Sequence, residues 1–152
     1  MAEDKFVIGL TEVKTEVFTI NDPSDDIIKS FDVNLLNVSV NVYFETNTAG
    51  NKVAVNLEFI YDYGDDARGD LRRLLHYEGV FTFGFDDLKS FSNPETQNIR
   101  LPNHVLERLL DLSISTARGI IIAKSTGSFI NKYYLPVFDV KRLLGDVETG
   151  RN

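Results

Sequence analysis

The sequence predicts an α+β fold: a four-stranded antiparallel sheet with one long helix and a short C-terminal helix packed on one of its faces. Three observations lead there. Period-two alternation of apolar and polar residues recurs in four stretches before residue 86. Clusters of Asn, Asp, Gly and Ser fall between those stretches. Leu101 to Gly127 is the one segment whose apolar residues follow a long helical period.

Lys5 to Ile20 gives the first strand, with Phe6, Ile8 and Leu10 on one face and an irregularity expected near Gly9. Asn21 to Ser30, NDPSDDIIKS, has loop chemistry but carries Ile27 and Ile28, followed by Phe31. Apolar side chains in such a crossing segment either pin it to the core or line a site beneath it. Phe31 to Glu45 alternates Val38, Val40, Val42 and Phe44 against Ser39, Asn41 and Tyr43. After the turn NTAGN, Lys52 to Tyr63 returns with Val53, Val55, Leu57 and Phe59 in step, so the two form a hairpin. Gly64 to Asp70 is a second polar turn, and Leu71 to Phe85 is the fourth strand. Successive strands joined by turns favour a meander.

Asp86 to Arg100 reads as loop or a short helix, with Leu88 and Phe91 as anchors. Pro102 or Asn103 suits the start of the long helix, and Lys124 and Gly127 suit its end. Its apolar residues, Val105, Leu106, Leu109, Leu110, Leu112, Ala117, Ile120 and Ile121, spread over an arc of roughly 200°, wider than the stripe of a little over about 100° that one sheet face requires. The excess leaves part of the arc to be covered by another copy of the chain. Ser128 to Phe138 reads as extended and is interrupted by Pro136, and Asp139 to Leu144 reads as a short helix capped by Asp139. The whole chain, 1-152, is expected to be one domain, fraying from about residue 145.

Composition narrows the function. With 43% hydrophobic and 26% charged residues the chain is an ordinary globular one, and with no cysteine it has neither disulfides nor thiol chemistry. A net charge of -7 argues against nucleic acid as a partner. The N-terminus lacks the apolar run of a secretion signal and no stretch is long enough for membrane insertion, so a cytoplasmic location is expected.

Neither histidine marks a catalytic centre. His104, Glu107 and Asp111 share a helical face, but Arg108 and Arg118 accompany them, and the group reads as a solvated surface rather than a metal site. His76, between Leu75 and Tyr77, reads as a surface or hydrogen-bonded side chain. Asp22, Asp25 and Asp26, and again Asp65, Asp66 and Asp70, lack calcium-loop spacing and read as turns. With no phosphate-binding loop and no nucleophile elbow, an enzyme is not expected, nor a cofactor or metal.

The order of elements and several short stretches resemble the bacterial export chaperone family SecB. LLHYEGVFTF, with Gly79 before Val80 and Phe81, resembles the family's glycine-hydrophobic-phenylalanine segment in the fourth strand. Ala117 and Arg118, then Gly127 to Phe129, then Leu135, Pro136 and Val137 follow in the family's order, over roughly residues 5 to 144. The resemblance implies an ATP-independent holdase for unfolded polypeptide, with an antitoxin or an export precursor among the expected clients. It also implies a dimer of dimers with the long helices buried between the pairs, Val105, Leu106 and Leu109 being the expected oligomer interface; the residues alone leave dimer or tetramer open. The acidic positions through which the family engages the translocation ATPase correspond here to Thr15, Thr19 and Leu74, which implies a role outside the standard export route.

The expected client site is apolar: Ile27, Ile28 and Phe31 from the crossing segment with Val140, Leu143 and Leu144 from the last helix. The alternative is a small-ligand binding protein or enzyme using a cavity between helix and sheet, with His76 or Tyr77 as its polar determinant.

Overall fold

The structure, a computed structural model, describes residues 8–64, 71–133 and 135–149. Lys5 and Phe6 at the expected start of the first strand, the Asp65, Asp66 and Asp70 turn, and residues 150–152 lie outside them. The described strands are β1 (Gly9–Ile20), β2 (Leu36–Asn47), β3 (Lys52–Tyr63) and β4 (Arg72–Gly84). The helices are α1 (Asp25–Lys29), α2 (Asn103–Lys124) and α3 (Val140–Thr149).

The strands form one antiparallel sheet in the order β1-β4-β3-β2. This corrects the expected meander. β2, β3 and β4 do follow one another as hairpins, but β1 lies beside β4, the Greek-key connectivity read from the N-terminal end. The segment between β1 and β2 therefore crosses the end of the sheet. Asn21 donates from its backbone to the Leu74 carbonyl at 2.9 Å and from its side chain to the Arg73 carbonyl at 3.2 Å. Farther along, Gly64 donates to the Leu35 carbonyl at 3.1 Å. Within the crossing, DDIIK folds into the single turn of α1, which loop chemistry alone did not suggest.

Both edge strands run for twelve residues, yet they are managed differently. β1 carries two register shifts, one between Leu10 and Glu12, next to Gly9 where an irregularity was expected, and one between Thr15 and Val17. Such bulges twist an edge away from foreign strands. β2 has an unbroken register along β3 from Leu36↔Tyr63 to Asn47↔Lys52.

The core lies between the sheet and α2. Odd-numbered residues of β3 (Val53, Val55, Leu57, Phe59, Tyr61) meet Tyr77, Phe81 and Phe83 of β4 on that face, and α2 covers them with Val105, Leu109, Leu110, Ile114, Ala117 and Ile121. Each fully buried aliphatic or aromatic side chain there contributes about 1.5–3 kcal/mol over its exposed state. Ile114, outside the arc drawn from the sequence, is on the buried face; Leu112, inside that arc, is 44% exposed. Ser113 is buried among these residues because its hydroxyl donates to the Leu109 carbonyl at 2.7 Å.

α2 ends at Lys124, and Gly127 takes φ +86 in the turn that follows. The Asn131 amide donates to the Ile122 carbonyl at 2.9 Å, satisfying one of the helix's last acceptors. That interaction belongs to a 3-10 turn, Phe129–Lys132, where the sequence had suggested extended chain. α3 is capped as expected, since the Asp139 carboxylate accepts from the Lys141 and Arg142 amides at 3.1 and 3.3 Å. It continues through Gly145 to Thr149, beyond the expected end at Leu144.

Candidate functional site

Three places on this frame carry the side chains that the sequence marks. The first is an aromatic cluster where the crossing segment docks. Phe31 stacks on Tyr63 with ring centroids 4.5 Å apart and meets Phe129 and Tyr133, each at 4.9 Å. Lys132 Nζ stands 4.3 Å from the Phe129 centroid, a cation–π contact. Two hydrogen bonds fix the arrangement: the Asp32 amide donates to the Tyr63 hydroxyl at 3.1 Å, and the Phe129 amide donates to the Asp22 carboxylate at 3.1 Å. Asp22 thus ties the crossing segment to the turn after α2, and Phe31 anchors it.

The second is a groove of about 660 Å³ at the other end of the β2–β3 hairpin. Phe44, Val53, Ile99, Leu101, Leu106 and Leu144 supply its apolar walls, and Asn93, Thr96, Asn98, Arg100 and Asn103 its polar rim. The rim is built by the tight loop before α2. Ser92 bridges Ile99, Asn93 accepts from Gln97 at 2.8 Å and donates to the Asn98 carbonyl at 2.8 Å, and Gln97 adopts φ +58. No periodicity announced this loop, because it is held by local side-chain and turn hydrogen bonds rather than by an amphipathic face.

Two of the six expected client residues, Phe31 and Leu144, lie at different places on this frame. Phe31 lies against Tyr63, which pairs with Leu36, whereas Leu144 lines the groove with Phe44. Phe44 is eight residue steps along β2 from Leu36, a span of about 27 Å. Ile27, Phe31, Val140 and Leu143 are partly buried against the core, Ile28 is half-buried, and Leu144 is 6% exposed. The expected interface residues divide as well. Val105 and Leu109, 4% and 0% exposed, are covered by the chain's own sheet, while Leu106 is half-buried and opens into the groove.

The third place is the opposite, open face of the sheet. Even-numbered residues of β3, and those of β4 from His76 onward, point there, so His76 and Tyr77 lie on opposite faces of β4. Of the two, only Tyr77 faces the space between helix and sheet. Tyr77 is buried in the core, and its phenol is pushed up from the usual tyrosine range by burial. Tyr61 behaves alike, with burial raising it to about 12 despite the opposing charge of Arg118.

His76 instead meets acids across the strands. Its Nε2 is 2.9 Å from Glu58 Oε2 and 3.1 Å from Glu78 Oε1. The Asn41 amide of β2 donates to the other Glu58 oxygen at 2.8 Å. Glu58 is held below the ordinary glutamate range, first by that Asn41 bond, with burial opposing it and the His76 contact assisting. Beside this trio a shallow groove of about 470 Å³ is lined by Glu16, Val17, Asn41, Tyr43 and Asn56 among others. His104, by contrast, is exposed on α2, away from the core face.

No described helix is long and apolar enough to cross a membrane. No protein-family sequence profile matches the chain, and no curated protein sequence does. Among solved structures it is similar to the Mycobacterium tuberculosis SecB-like chaperone Rv1957, determined in complex with a ChAD peptide from the Rv1956 HigA1 antitoxin. The TM-score is 0.51 and the identity 6%, over 87% of this chain and 90% of that one. The shared feature is the fold: a four-stranded antiparallel sheet with helices on one face, in the SecB-like arrangement.

Proposed function

We propose that this chain is an ATP-independent holdase that binds non-native polypeptide in the groove between the end of β2, the start of α2 and α3. The observation that carries this reading is that groove's construction on a SecB-like frame. Its walls include apolar residues from β2, β3, the loop before α2, α2 and α3, and its polar rim offers Asn and Thr amides and hydroxyls to a peptide backbone. Val53, Leu101 and Leu144 are almost wholly buried. Apolar contact, at about 25 cal/mol per Å² before the cost of ordering the client, therefore supplies part of the affinity and hydrogen bonds from the rim to the client backbone supply the rest, both with little dependence on client sequence. That suits a binder of unfolded chains. An antitoxin or an export precursor is the kind of client proposed, in keeping with the antitoxin peptide held by the similar structure. The negative surface would draw basic clients in.

Nothing in this reading requires a catalytic centre, a cofactor or a nucleic acid, and the proposed location is the cytoplasm. Self-association is part of it. On the outer side of α2, Leu112 and Ile122 are 44% and 37% exposed and flank Ser115 and Gly119 at i, i+3, i+7 and i+10. A Cβ added at Gly119 would meet nothing within 4 Å, so a second helix could approach closely there. We therefore place the proposed homo-oligomer contact on this outer stripe, because the inward face that holds Val105 and Leu109 is occupied by the sheet.

The test is suppression of light scattering by a chemically denatured client, measured with the wild-type chain and with Leu106→Asp. Loss of suppression in the variant, with its circular dichroism unchanged, supports the groove as the client site. Equal suppression by both proteins removes the groove from the reading.

A further inference from the structure

We propose that Glu58, His76 and Glu78 form a binding site for one divalent transition-metal ion on the open face of the sheet. The three side chains come from facing positions on adjacent strands. Glu58 pairs directly with Glu78 in the β3–β4 register, and His76 lies two residues from Glu78 on the same face. A strand alternates its side chains with a period of two, so this placement follows from the backbone register.

The geometry suits coordination. One donor atom from each residue lies within 4.8 Å of the other two, and the two nitrogen–oxygen separations are 2.9 and 3.1 Å. Neighbouring ligands around a six-coordinate ion with bonds of ~2.1 Å stand about 3.0 Å apart, and around a tetrahedral one about 3.4 Å. The His76 nitrogen stands within ligand spacing of both carboxylates and all three donor atoms lie within 4.8 Å of one another, so an ion that displaces the proton now held between His76 and the acids would find three ligands. One imidazole with two carboxylates is a borderline-to-hard donor set that favours zinc, cobalt or manganese over soft ions.

Charge points the same way. Two carboxylates against one imidazole leave the trio negative whether or not the ring is protonated. A dication bound to neutral imidazole and two carboxylates brings it to zero. Asn41 supplies the supporting contact: its amide occupies Glu58 Oε1 at 2.8 Å and leaves Oε2 turned to His76. The remaining coordination positions would face the shallow groove beside Glu16 and Asn56. This site lies across the sheet from the proposed client groove, and it stands or falls separately from the holdase reading.

The experiment is titration of the purified full-length chain with Co²⁺, followed by visible absorption, and with Zn²⁺ by equilibrium dialysis. The expected result is one ion per chain, with affinity reduced at least ~100-fold in His76→Gln and in Glu58→Gln, and about 10- to 100-fold in Asn41→Ala. His104→Gln, on the exposed helix, is expected to bind as wild type does. Because the trio faces outward, the variants should keep the wild-type circular dichroism. The proposal is overturned if the wild-type chain binds neither ion, or if binding survives in His76→Gln or is lost in His104→Gln.

Discussion

The ring of Tyr77 lies over the backbone of Gly79, in the space that a side chain at Gly79 would need. A Cβ built there would stand 2.8 Å from the Tyr77 Cζ and 3.0 Å from its Cε1, closer than real contacts allow. The glycine of the VFTF segment is therefore set by packing, since the fully buried tyrosine has no room to withdraw. Gly79→Ala is expected to cost about 1–3 kcal/mol of overpacking in urea unfolding. Adding Tyr77→Leu should make the alanine substitution less costly than it is in the wild-type background. Equal costs in both backgrounds would separate the two residues.

Leu109→Asp is expected to abolish folding, because Leu109 is fully enclosed by the chain's own core. An isolated carboxylate there has no partner to offset its desolvation. Leu112→Asp on the outer stripe is expected to leave circular dichroism intact and to lower the native mass measured by light scattering. A folded, dissociated Leu109→Asp chain would put the interface back on the inward face.

Much of this division was legible in the sequence, and its limits have physical causes. Alternation located β2, β3 and β4, because each has one face on the core and one on solvent. Asn103, Lys124 and Gly127 marked the long helix. The place of β1 was not legible, since its alternation is the same whichever strand it pairs with, and only the crossing from Asn21 to Leu35 decides that it lies beside β4. The groove went unseen because Ile99 and Leu101 belong to a loop without periodicity. The Glu58, His76 and Glu78 trio left a faint signal: His76 and Glu78 share a face at a spacing of two, but Glu58 joins them only once the β3–β4 register is known. Phe31 was singled out from its place in a polar crossing segment and named for the client site; the structure stacks it on Tyr63 and packs it against Phe129 and Tyr133.

Phe31→Ala tests the anchor. The substitution removes the stack on Tyr63 and the contacts with Phe129 and Tyr133. Aromatic pairs add about 0.5–1.5 kcal/mol each beyond their buried area. Amide hydrogen exchange across Asp25–Lys29 is expected to speed up at least tenfold while the β3 and β4 amides remain protected. Unchanged exchange in α1 would show that Phe31 does not hold the crossing segment.

Asn41→Ala tests the electrostatics of the open face. Glu58 is lowered in the folded state, chiefly by the Asn41 bond, so its carboxylate stabilises the fold at pH values above the unfolded value of about 4.3. That contribution is lost as pH falls through the lowered folded value. The variant is expected to move the Glu58 titration upward, read from its side-chain carboxyl carbon by NMR in metal-free buffer. The stability difference from wild type should shrink as acid protonates both proteins. An unmoved titration would remove Asn41 as the main cause.

The most direct measurement is aggregation of a chemically denatured client, diluted into buffer with one chain of this protein per client chain and no nucleotide. The holdase reading expects light scattering to be suppressed at that ratio, and suppression to be lost in Leu106→Asp. Scattering as strong as that of the client alone, with the wild-type chain folded and in stoichiometric amount, would contradict it.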